Sequence, residues 1–316
     1  MTTHLVVGAG PVGTAVAREL VALGHDVRLA SRSGRGPDVP GAVRTAIDAS
    51  DAAAVTRLAA GTDLVVNAVN PPQYHRWPQL WPPVAAALLT AAERAGAVLA
   101  TVSNLYPYGR PDGPMSEATP LRPADVKGEV RRRMWLDALA AHEAGRVRVV
   151  EVRASDFIGA GTGQNSHTAR LTRFVLSSRR AQVIGSPDLP HSWTYTVDVA
   201  RTLVAAALDP GAHGRAWHVP TNLPRTQREL AADLAAVAGV PDVPVTGLPT
   251  IALRLVGVVD SRMRAVADSS YQFRMPFVID DSAARSRFGL LPTPWADVLD
   301  VTVTDVRREL AETGAR

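Results

Sequence analysis

The first half of the chain alternates short apolar runs with longer stretches in which apolar residues recur at helical spacing. Strands are predicted at 5–7, 27–30, 43–47, 64–68, 98–102 and 147–152. Helices are predicted between them at 13–23, 52–60, 83–95 and 124–144. Because strands that alternate with helices form parallel βαβ units, the pattern predicts a doubly wound α/β fold.

The turn after the first predicted strand carries the pattern Gly-x-Gly-x-x-Gly at Gly8, Gly10 and Gly13. A strand precedes this turn and a helix follows it, which is the context in which the pattern binds a dinucleotide. Gly8 permits the tight turn, Gly10 lets the backbone approach a pyrophosphate, and Gly13 lets the helix pack closely on the strand. Pro11 and Val12 complete the turn, where free N–H groups attract phosphate. The motif predicts a Rossmann-type domain.

The residues that follow the second predicted strand set the choice between NAD and NADP. An acidic residue at this position would hydrogen-bond the adenosine ribose and select NAD. The chain has Ser31, Arg32 and Arg35 in this loop and no carboxylate. Ser31 and Arg32 can bind a 2′-phosphate, and Arg35 adds positive charge. The sequence therefore predicts NADP(H) as the cofactor, with exposed loop charges as the alternative interpretation.

Two further strand ends are predicted to contact the adenosine half of the cofactor. Asp48 ends the third predicted strand and can hydrogen-bond the adenine. Asn67, Ala68 and Val69 end the fourth, where the backbone can pass the adenosine. These contacts follow from the rule that ligands bind at the carboxyl ends of strands in open α/β sheets.

The alternation loosens after Arg153, and the chain of 316 residues is long enough for a second, smaller unit. Helices are predicted at 168–178, 198–208 and 226–238, with short strands at 181–184 and 216–219. We expect residues 1–160 to form the NADP-binding domain, with segments near 191–222 returning to it. Residues 161–190 and 223–316 are predicted to form a substrate-binding lid.

Composition narrows the possible partners. The net charge is +4, but the basic residues are scattered, so no nucleic-acid partner is predicted. The chain has no cysteine and no His/Asp/Glu cluster with metal-ligand spacing, so neither disulfides nor a metal site are expected. No uncharged apolar run reaches 18 residues, and the amino terminus does not resemble a signal peptide. We therefore expect a cytoplasmic protein without a membrane partner.

A single lysine stands out among the 34 basic residues, because the other 33 are arginines. Lysine is a compact ammonium with a tunable pKa, whereas guanidinium is larger, planar and always charged. Lys127 is therefore either a residue that arginine cannot replace or a chance surface lysine.

Several motifs extend along the chain and resemble the short-chain dehydrogenase/reductase superfamily, in its extended or atypical branch of NAD-dependent epimerases and dehydratases. Besides the glycine turn, they are Tyr108-Gly109, Ser116-Glu117, Arg153-Ala154-Ser155-Asp156-Phe157-Ile158-Gly159 and Trp193-Thr194-Tyr195-Thr196-Val197-Asp198-Val199-Ala200. The resemblance implies a Rossmann-type sheet, a C-terminal substrate-binding region and nicotinamide chemistry.

The resemblance also implies a catalytic Tyr-x-x-x-Lys pair with a serine or threonine. Lys127 matches the lysine, which in the family holds the nicotinamide ribose and lowers the pKa of the tyrosine. Pro123 stands where the tyrosine belongs, and Asn104 stands at the serine position beside Ser103. The lysine is kept and its two partners are replaced.

Two tyrosines just after the fifth predicted strand are candidates for the missing acid. Tyr106 and Tyr108 lie where strands end, and either would need Lys127 nearby to become a useful acid or base. Tyr108 corresponds to a residue that is mainly structural in the family. Asn104 can contact a carbonyl oxygen, and Ser103 can help to bind the substrate.

The remaining candidates lie after the sixth predicted strand. The resemblance places Arg153 and Phe157 near the nicotinamide, with Phe157 close to its carboxamide or to the substrate. Side chains of the lid are predicted to line the substrate pocket: Asn165, His167, His191, Trp193 and Tyr195. His191 is also a possible acid or base, although an isolated loop histidine is more often a surface or packing residue.

The leading functional hypothesis is a reductase in which NADPH delivers hydride to a carbonyl or activated double bond of a small, fairly apolar molecule. One alternative is a redox-neutral epimerase or dehydratase that retains its NADP(H). Another is a protein that senses NADP(H) without catalysis. Relatives in the superfamily often dimerise through long helices beside the sheet, so residues 124–144 are a possible homodimer surface.

Overall fold

The computed structural model describes residues 2–163, 166–248 and 260–314. Its strands, in chain order, are β1 (Thr3–Val7), β2 (Asp26–Ser31), β3 (Ala42–Ala46), β4 (Leu64–Asn67), β5 (Val98–Asn104), β6 (Arg148–Ala154), β7 (Asp156–Ile158), β8 (Ala181–Ile184), β9 (Trp193–Tyr195), β10 (Arg215–His218) and β11 (Val245–Leu248).

The helices, in chain order, are α1 (Pro11–Ala22), α2 (Ala52–Ala59), α3 (Trp77–Ala95), α4 (Val126–Glu143), α5 (His167–Leu176), α6 (Thr196–Leu208), α7 (Gln227–Ala238), α8 (Ser261–Ser269), α9 (Ser282–Phe288) and α10 (Trp295–Gly314). Short 3₁₀ helices cover Tyr74–Arg76, Tyr106–Tyr108, Pro210–Ala212 and Ser270–Phe273. None of the described helices is long and apolar enough to cross a membrane.

Seven strands form one parallel sheet in the order β3-β2-β1-β4-β5-β6-β10. The chain leaves β1 toward β2 and β3, then crosses back so that β4 pairs with the other side of β1. This reversal places the carboxyl ends of β1 and β4 at a topological switch point, where open α/β sheets bind ligands. The predicted doubly wound α/β fold is confirmed.

Helices cover both faces of this sheet. On one face, α1 and α6 pack together over the strands with Val16, Leu20 and Leu203 fully buried. On the other face, α2, α3 and α4 pack over Leu5, Leu99 and their neighbours, again with buried apolar side chains. Burying an aliphatic side chain stabilises a fold by about 1.5–3 kcal/mol, so these two layers hold the sheet in place.

The rest of the chain builds a smaller unit beside the carboxyl edge of the sheet. Two parallel strand pairs, β7 with β9 and β8 with β11, pack with α5, α7 and α10 around a separate apolar core. Between these parts, α6 and β10 return to the large sheet.

One helix and one strand have ends that differ from the predicted positions. Helix α3 begins at Trp77, six residues before the predicted start, although Pro82 and Pro83 lie inside it. Trp77 and Trp81 are fully buried one helical turn apart, and we attribute the earlier start to this burial, which offsets the hydrogen bonds that proline removes. Strand β6 continues to Ala154, two residues past its predicted end, and the buried guanidinium of Arg153 forms an ion pair with Glu151.

A buried polar network joins β6, β10 and the C-terminal segment. Arg153 donates from Nε to Glu151 Oε1 at 2.7 Å and from Nη1 to the Tyr108 hydroxyl at 2.7 Å. The Tyr108 hydroxyl donates to His218 Nε2 at 2.7 Å, and His218 Nδ1 donates to the Asp280 carbonyl at 2.9 Å. Burial raises the pKa of Tyr108 to about 12 and lowers the pKa of His218. The network fixes Tyr108 as a neutral hydrogen-bonding group.

We predict that Tyr108→Phe lowers the free energy of unfolding by about 1–3 kcal/mol, because it leaves buried groups of Arg153 and His218 without their partner. Urea unfolding of the variant and the parent measures this difference. Tyr74→Phe, at a partly exposed hydroxyl, is the matched control and should change stability by less than about 0.5 kcal/mol. Equal effects of both changes would contradict the structural role of the network.

Lowering the pH should destabilise the fold through protonation of His4. This side chain is 1% exposed, and burial followed by the charge of His25 lowers its pKa from 6.5 to about 4. The unfolded chain therefore binds a proton below about pH 6.5 that the folded chain binds only near pH 4. Going from pH 7 to pH 5 should cost about 2 kcal/mol from this residue. Urea unfolding of wild type and His4→Gln at both pH values tests this, and an unchanged pH dependence in the variant would refute it.

Candidate active site

The turn between β1 and α1 is packed so closely that two positions admit only glycine. Gly8 has φ +112°, and a Cβ there would lie 2.4 Å from the Ala68 carbonyl oxygen. A Cβ on Gly13 would lie 1.8 Å from the Gly8 carbonyl oxygen. A Cβ on Gly10 would meet no atom within 4 Å. Gly8 and Gly13 therefore shape the turn, and Gly10 faces open space.

That open space lies at the amino terminus of α1. The helix begins with Gly10 as its N-cap residue and Pro11 in its first turn, and no side chain of the described residues caps it. The first N–H groups of a helix have no intrahelical acceptor, and the helix dipole favours negative charge there. An uncapped terminus beside an open glycine fits the pyrophosphate of a dinucleotide.

The loop after β2 presents hydroxyl and guanidinium groups. Ser31 Oγ donates to the Arg35 carbonyl at 2.9 Å, while the Arg32 and Arg35 side chains are exposed. Asp48 is also exposed, and its Oδ1 accepts from the Ser50 amide and hydroxyl. These hydrogen bonds, and to a lesser extent the charge of Arg32, lower the pKa of Asp48. The loop is electropositive where an acidic residue would select NAD.

The end of β4 forms the other wall of this region. Asn67 is buried, and its Oδ1 accepts from the Val69 amide at 3.3 Å. Ala68 lies directly beneath the glycine turn, as its contact with Gly8 shows. Asn67, Ala68 and Val69 thus shape the backbone path beside the predicted adenosine site.

Lys127 lies in the first turn of α4 and is only 4% exposed. Its ammonium donates to the Ala265 carbonyl of α8 and lies 3.4 Å from Asp125 Oδ2. Burial lowers the pKa of Lys127, and the charges of Asp125 and Asp268 oppose that shift. Since an ammonium has three N–H donors and the described residues supply these two partners, one N–H is left for a further partner such as a ribose hydroxyl.

Tyr106 lies close to Lys127, but the lysine ammonium lies over the face of the tyrosine ring. The Lys127 ammonium is 5.8 Å from the centre of the Tyr106 ring. Burial, followed by the neighbouring Tyr74 and the charge of Asp156, raises the pKa of Tyr106 well above 10. The expected lowering of a tyrosine pKa is therefore absent at Tyr106. Its phenol stays protonated and can donate a hydrogen bond.

The other polar residues near the end of β5 have distinct environments. Ser103 is buried, and its hydroxyl has no hydrogen-bond partner among the described residues. Asn104 Oδ1 accepts from the Tyr106 amide at 3.2 Å, which leaves the amide nitrogen of Asn104 free within the described structure. Tyr108 is 1% exposed and held in the buried network, which fits the interpretation that Tyr108 is mainly a structural residue.

Asp156 and His191 form a pair that neither the spacing nor the composition of the sequence indicates. His191 Nε2 donates to Asp156 Oδ2 at 2.8 Å. His191 is 1% exposed, whereas the Asp156 side chain is 17% exposed. Burial raises the pKa of Asp156, but the bond from His191 and the charge of His167 outweigh it, so the pKa is lowered overall.

The remaining residues that were predicted to bind the substrate lie on β7, β9 and α5, apart from Asn165. Trp193 is buried, and its indole donates to the Arg225 carbonyl. Phe157 and Tyr195 are half-buried in the paired strands β7 and β9. His167 begins α5, with its ring 4.7 Å from the Phe273 ring. Asn165 lies outside the described residues.

A cavity of about 240 Å³ opens beside Asp125. Its lining residues are Arg110, Ala124, Asp125, Ala267, Asp268, Tyr271 and Arg274. The Tyr271 hydroxyl is buried without a hydrogen-bond partner in the described part of the chain. No group of three or more potential metal ligands occurs in residues 2–163, 166–248 and 260–314.

Sequence reasoning missed Asp125, Asp156 and Tyr271. Asp125 had a local signal, because an aspartate directly before a helix is a common N-cap, and it does accept from the Gly128 amide at 2.8 Å. Asp156 also had a signal, because it lies just after β6 within a motif that resembles the family, at the carboxyl edge of the sheet. Tyr271 had none, because it comes from a turn that is distant along the chain.

Comparison with known proteins supports the family resemblance that the sequence motifs indicate. A model of the NAD dependent epimerase/dehydratase family matches residues 4–219. The chain matches no curated protein sequence.

Solved structures of sugar-nucleotide enzymes share the fold at low sequence identity. UDP-glucose 4-epimerase from Thermotoga maritima, with UDP-glucose, superposes with a TM-score of 0.79 at 16% identity, covering 98% of this chain and 99% of that one. A dTDP-glucose 4,6-dehydratase from Streptomyces venezuelae, with NAD bound, gives 0.79 at 21% identity and covers 98% of both chains. UDP-glucuronic acid 4-epimerase from Bacillus cereus, with NAD, gives 0.78 at 16% identity, covering 97% and 99%.

We predict that Gly10→Ala folds normally but binds dinucleotide at least about tenfold more weakly, because its methyl group occupies the open space beside the helix terminus. Thermal unfolding and calorimetric titration with NADPH measure the two properties. Gly13→Ala is the contrasting variant and should lose stability, since its Cβ would collide with the Gly8 carbonyl. Undiminished NADPH binding by Gly10→Ala would rule out the assignment of the phosphate site.

Proposed function

The chain belongs to the NAD-dependent epimerase/dehydratase family, and from this premise we propose that it is an NADP(H)-dependent oxidoreductase of the short-chain dehydrogenase/reductase type. It would move a hydride between the nicotinamide and a carbonyl or activated double bond of a small, fairly apolar substrate. The observation that carries the cofactor choice is the electropositive loop after β2, where Ser31 and Arg32 stand in place of an acidic residue.

The cofactor would lie along the carboxyl ends of β1, β2 and β4. The α1 terminus and Gly10 would receive the pyrophosphate, while Ser31, Arg32 and Arg35 would hold the 2′-phosphate. The third N–H of Lys127 would reach a ribose hydroxyl. When bound, the nicotinamide supplies or accepts the hydride.

The substrate oxygen would lie between the ends of β5 and β6. Tyr106 is kept protonated by its buried surroundings, so it can donate a hydrogen bond to a carbonyl. The free amide of Asn104 offers a second donor nearby. Both contacts stabilise negative charge that develops on the oxygen.

The surroundings favour a small ligand. The cavity of about 240 Å³ is below the usual range of about 300–1,000 Å³ for ligand sites. The Tyr271 ring at this cavity lies 6.2 Å from the Phe277 ring, which stacks on His191 together with Phe273.

A redox-neutral reaction is the second candidate. It is favoured by the family match and by the printed names of the structural neighbours, which are epimerases and a dehydratase. In that case the cofactor would co-purify with the protein and would not be consumed. Absorbance of the purified protein at the wavelength of reduced nicotinamide, before and after substrate, distinguishes the two reactions.

We predict that the protein binds NADPH at least about tenfold more tightly than NADH, because hydrogen bonds to a charged phosphate contribute about 1.5–3 kcal/mol. Calorimetric titration of the purified apo protein with each nucleotide measures this preference. Arg32→Gln should weaken NADPH binding about tenfold or more and leave NADH binding unchanged.

Arg57→Gln is the control for that experiment, since it removes an exposed arginine from the last turn of α2. Equal affinity for both nucleotides would refute the proposed role of the loop after β2. Failure to bind either nucleotide would refute the proposed function as a whole. With NADPH preference established, small ketones, aldehydes and enones can be screened for NADPH consumption.

A further inference from the structure

The backbone that carries Asp156 and His191 is fixed from several sides. Asp156 begins β7, which pairs in parallel with β9 so that Asp156 lies opposite Trp193. His191 exchanges two backbone hydrogen bonds with Arg225, at 3.2 and 3.0 Å. The adjacent residues Pro190 and Ser192 are bonded to the backbone of Phe277. The two side chains therefore meet in a preorganised position.

The imidazole of His191 is enclosed by aromatic rings. It stacks on Phe273 with centroids 4.7 Å apart and planes at 15°, and on Phe277 at 5.5 Å and 23°. The Trp193 ring lies 4.5 Å away. Nδ1 is buried without a partner in the described structure, so the hydrogen bond from Nε2 to Asp156 is the main polar contact of the ring. The Ser155 hydroxyl lies 3.4 Å from the same nitrogen.

The carboxylate of Asp156 is the accessible member of the pair. His191 occupies Oδ2, while Oδ1 has no hydrogen-bond partner among the residues described. Asp156 comes two residues after Ala154, which pairs in register with Asn104 at the end of β5, so Asp156 lies at the edge of the sheet that carries the candidate active site. The charge of His167, the first residue of α5, helps to lower the pKa of Asp156.

We propose that Asp156 is the catalytic residue that exchanges a proton with the substrate oxygen, and that His191 positions its carboxylate. This inference rests on the proposed function. Pro123 cannot transfer a proton, and Tyr106 is a donor that does not readily ionise, so Asp156 supplies the missing proton acceptor. Groups whose surroundings push their pKa values apart divide acid and base roles in this way.

In the direction of alcohol oxidation, the substrate O–H proton passes to Asp156 Oδ1, and its O–H bond electrons form the carbonyl π bond. The hydrogen on the same carbon leaves with its electron pair as hydride to NADP⁺, so the alcohol is oxidised and the nicotinamide is reduced. Reduction follows the reverse path: Asp156 Oδ1 first takes up a proton from solvent and then gives it to the substrate oxygen, so each turnover consumes the hydride of NADPH and one solvent proton. Tyr106 donates a hydrogen bond to that oxygen throughout.

The decisive test compares Asp156→Asn, His191→Leu and His191→Gln with wild type. The substrate is the carbonyl compound reduced fastest in the NADPH-consumption screen, and its alcohol is used with NADP⁺. Asp156→Asn should lower kcat by at least about 100-fold, in the range of general acid–base catalysis, with NADPH affinity within about threefold of wild type. Asp137→Asn, an exposed carboxylate on α4, is the control and should keep wild-type turnover.

The histidine variants separate positioning from packing. His191→Leu removes the donor and should raise the pKa of Asp156, so the acidic limb of the oxidation pH–rate profile moves to higher pH by about one unit. His191→Gln retains an N–H donor and should restore the wild-type limb. A purely structural role would lower stability without moving the limb.

A second readout needs no substrate. In the apo protein, the buried His191 Nε2–H should give a slowly exchanging downfield proton resonance, identified by its loss in His191→Leu. The resonance should move upfield in Asp156→Asn. If Asp156→Asn melts more than about 5 °C below wild type, Asp156→Ser, which also removes the carboxylate, is measured in its place.

Three results would overturn the proposal. The first is a folded Asp156 variant whose kcat stays within about threefold of wild type, and the second is an Asp156 variant in which only KM is impaired. The third is a downfield resonance that does not move in the Asp156 variant. A wild-type protein that binds NADPH but turns over no compound would instead overturn the proposed function and this assignment with it.

Discussion

The contact of α1 with the turn after β1 is the constraint on which the rest of the site depends. Gly13 lies against the Gly8 carbonyl, and Gly8 lies against the backbone of Ala68, so three chain segments meet with no room for a side chain. This contact brings the helix terminus to the point where the strand order reverses. The edge at which we propose that the phosphates bind is thereby fixed, and so is the direction in which the remaining strand ends point.

Burial of charge is the second organising feature. Lys127 is held by Asp125 and a carbonyl of α8, Asp156 by His191, and Arg153 by Glu151. A buried charge without such a partner would cost several kcal/mol, so each pair fixes the geometry of its members. The low dielectric that makes unpaired charges costly also strengthens the field that the paired groups exert on a ligand.

The fold was more predictable from sequence than the site. Strands β1 to β5 lie within about two residues of their predicted positions, because apolar periodicity and glycine turns are local signals. The start of α3 was not predictable from propensity, because it depends on how Trp77 and Trp81 pack on the sheet. Lys127 was singled out because its residue type is rare in this chain and because its position matches the family pattern. The partner of Asp156 lies 35 residues further on, and two strands of three residues each bring them together.

The burial of the only lysine has a consequence for how other molecules can modify this protein. Cells and chemists attach most labels to proteins through ε-amino groups, and here that group is at Lys127, 4% exposed and occupied by internal partners. The folded surface offers arginines as its side-chain cations. Acylation or conjugation at a lysine would therefore have to break the bond to α8 and occupy the proposed cofactor site, which makes such tagging a report of local opening in the apo protein.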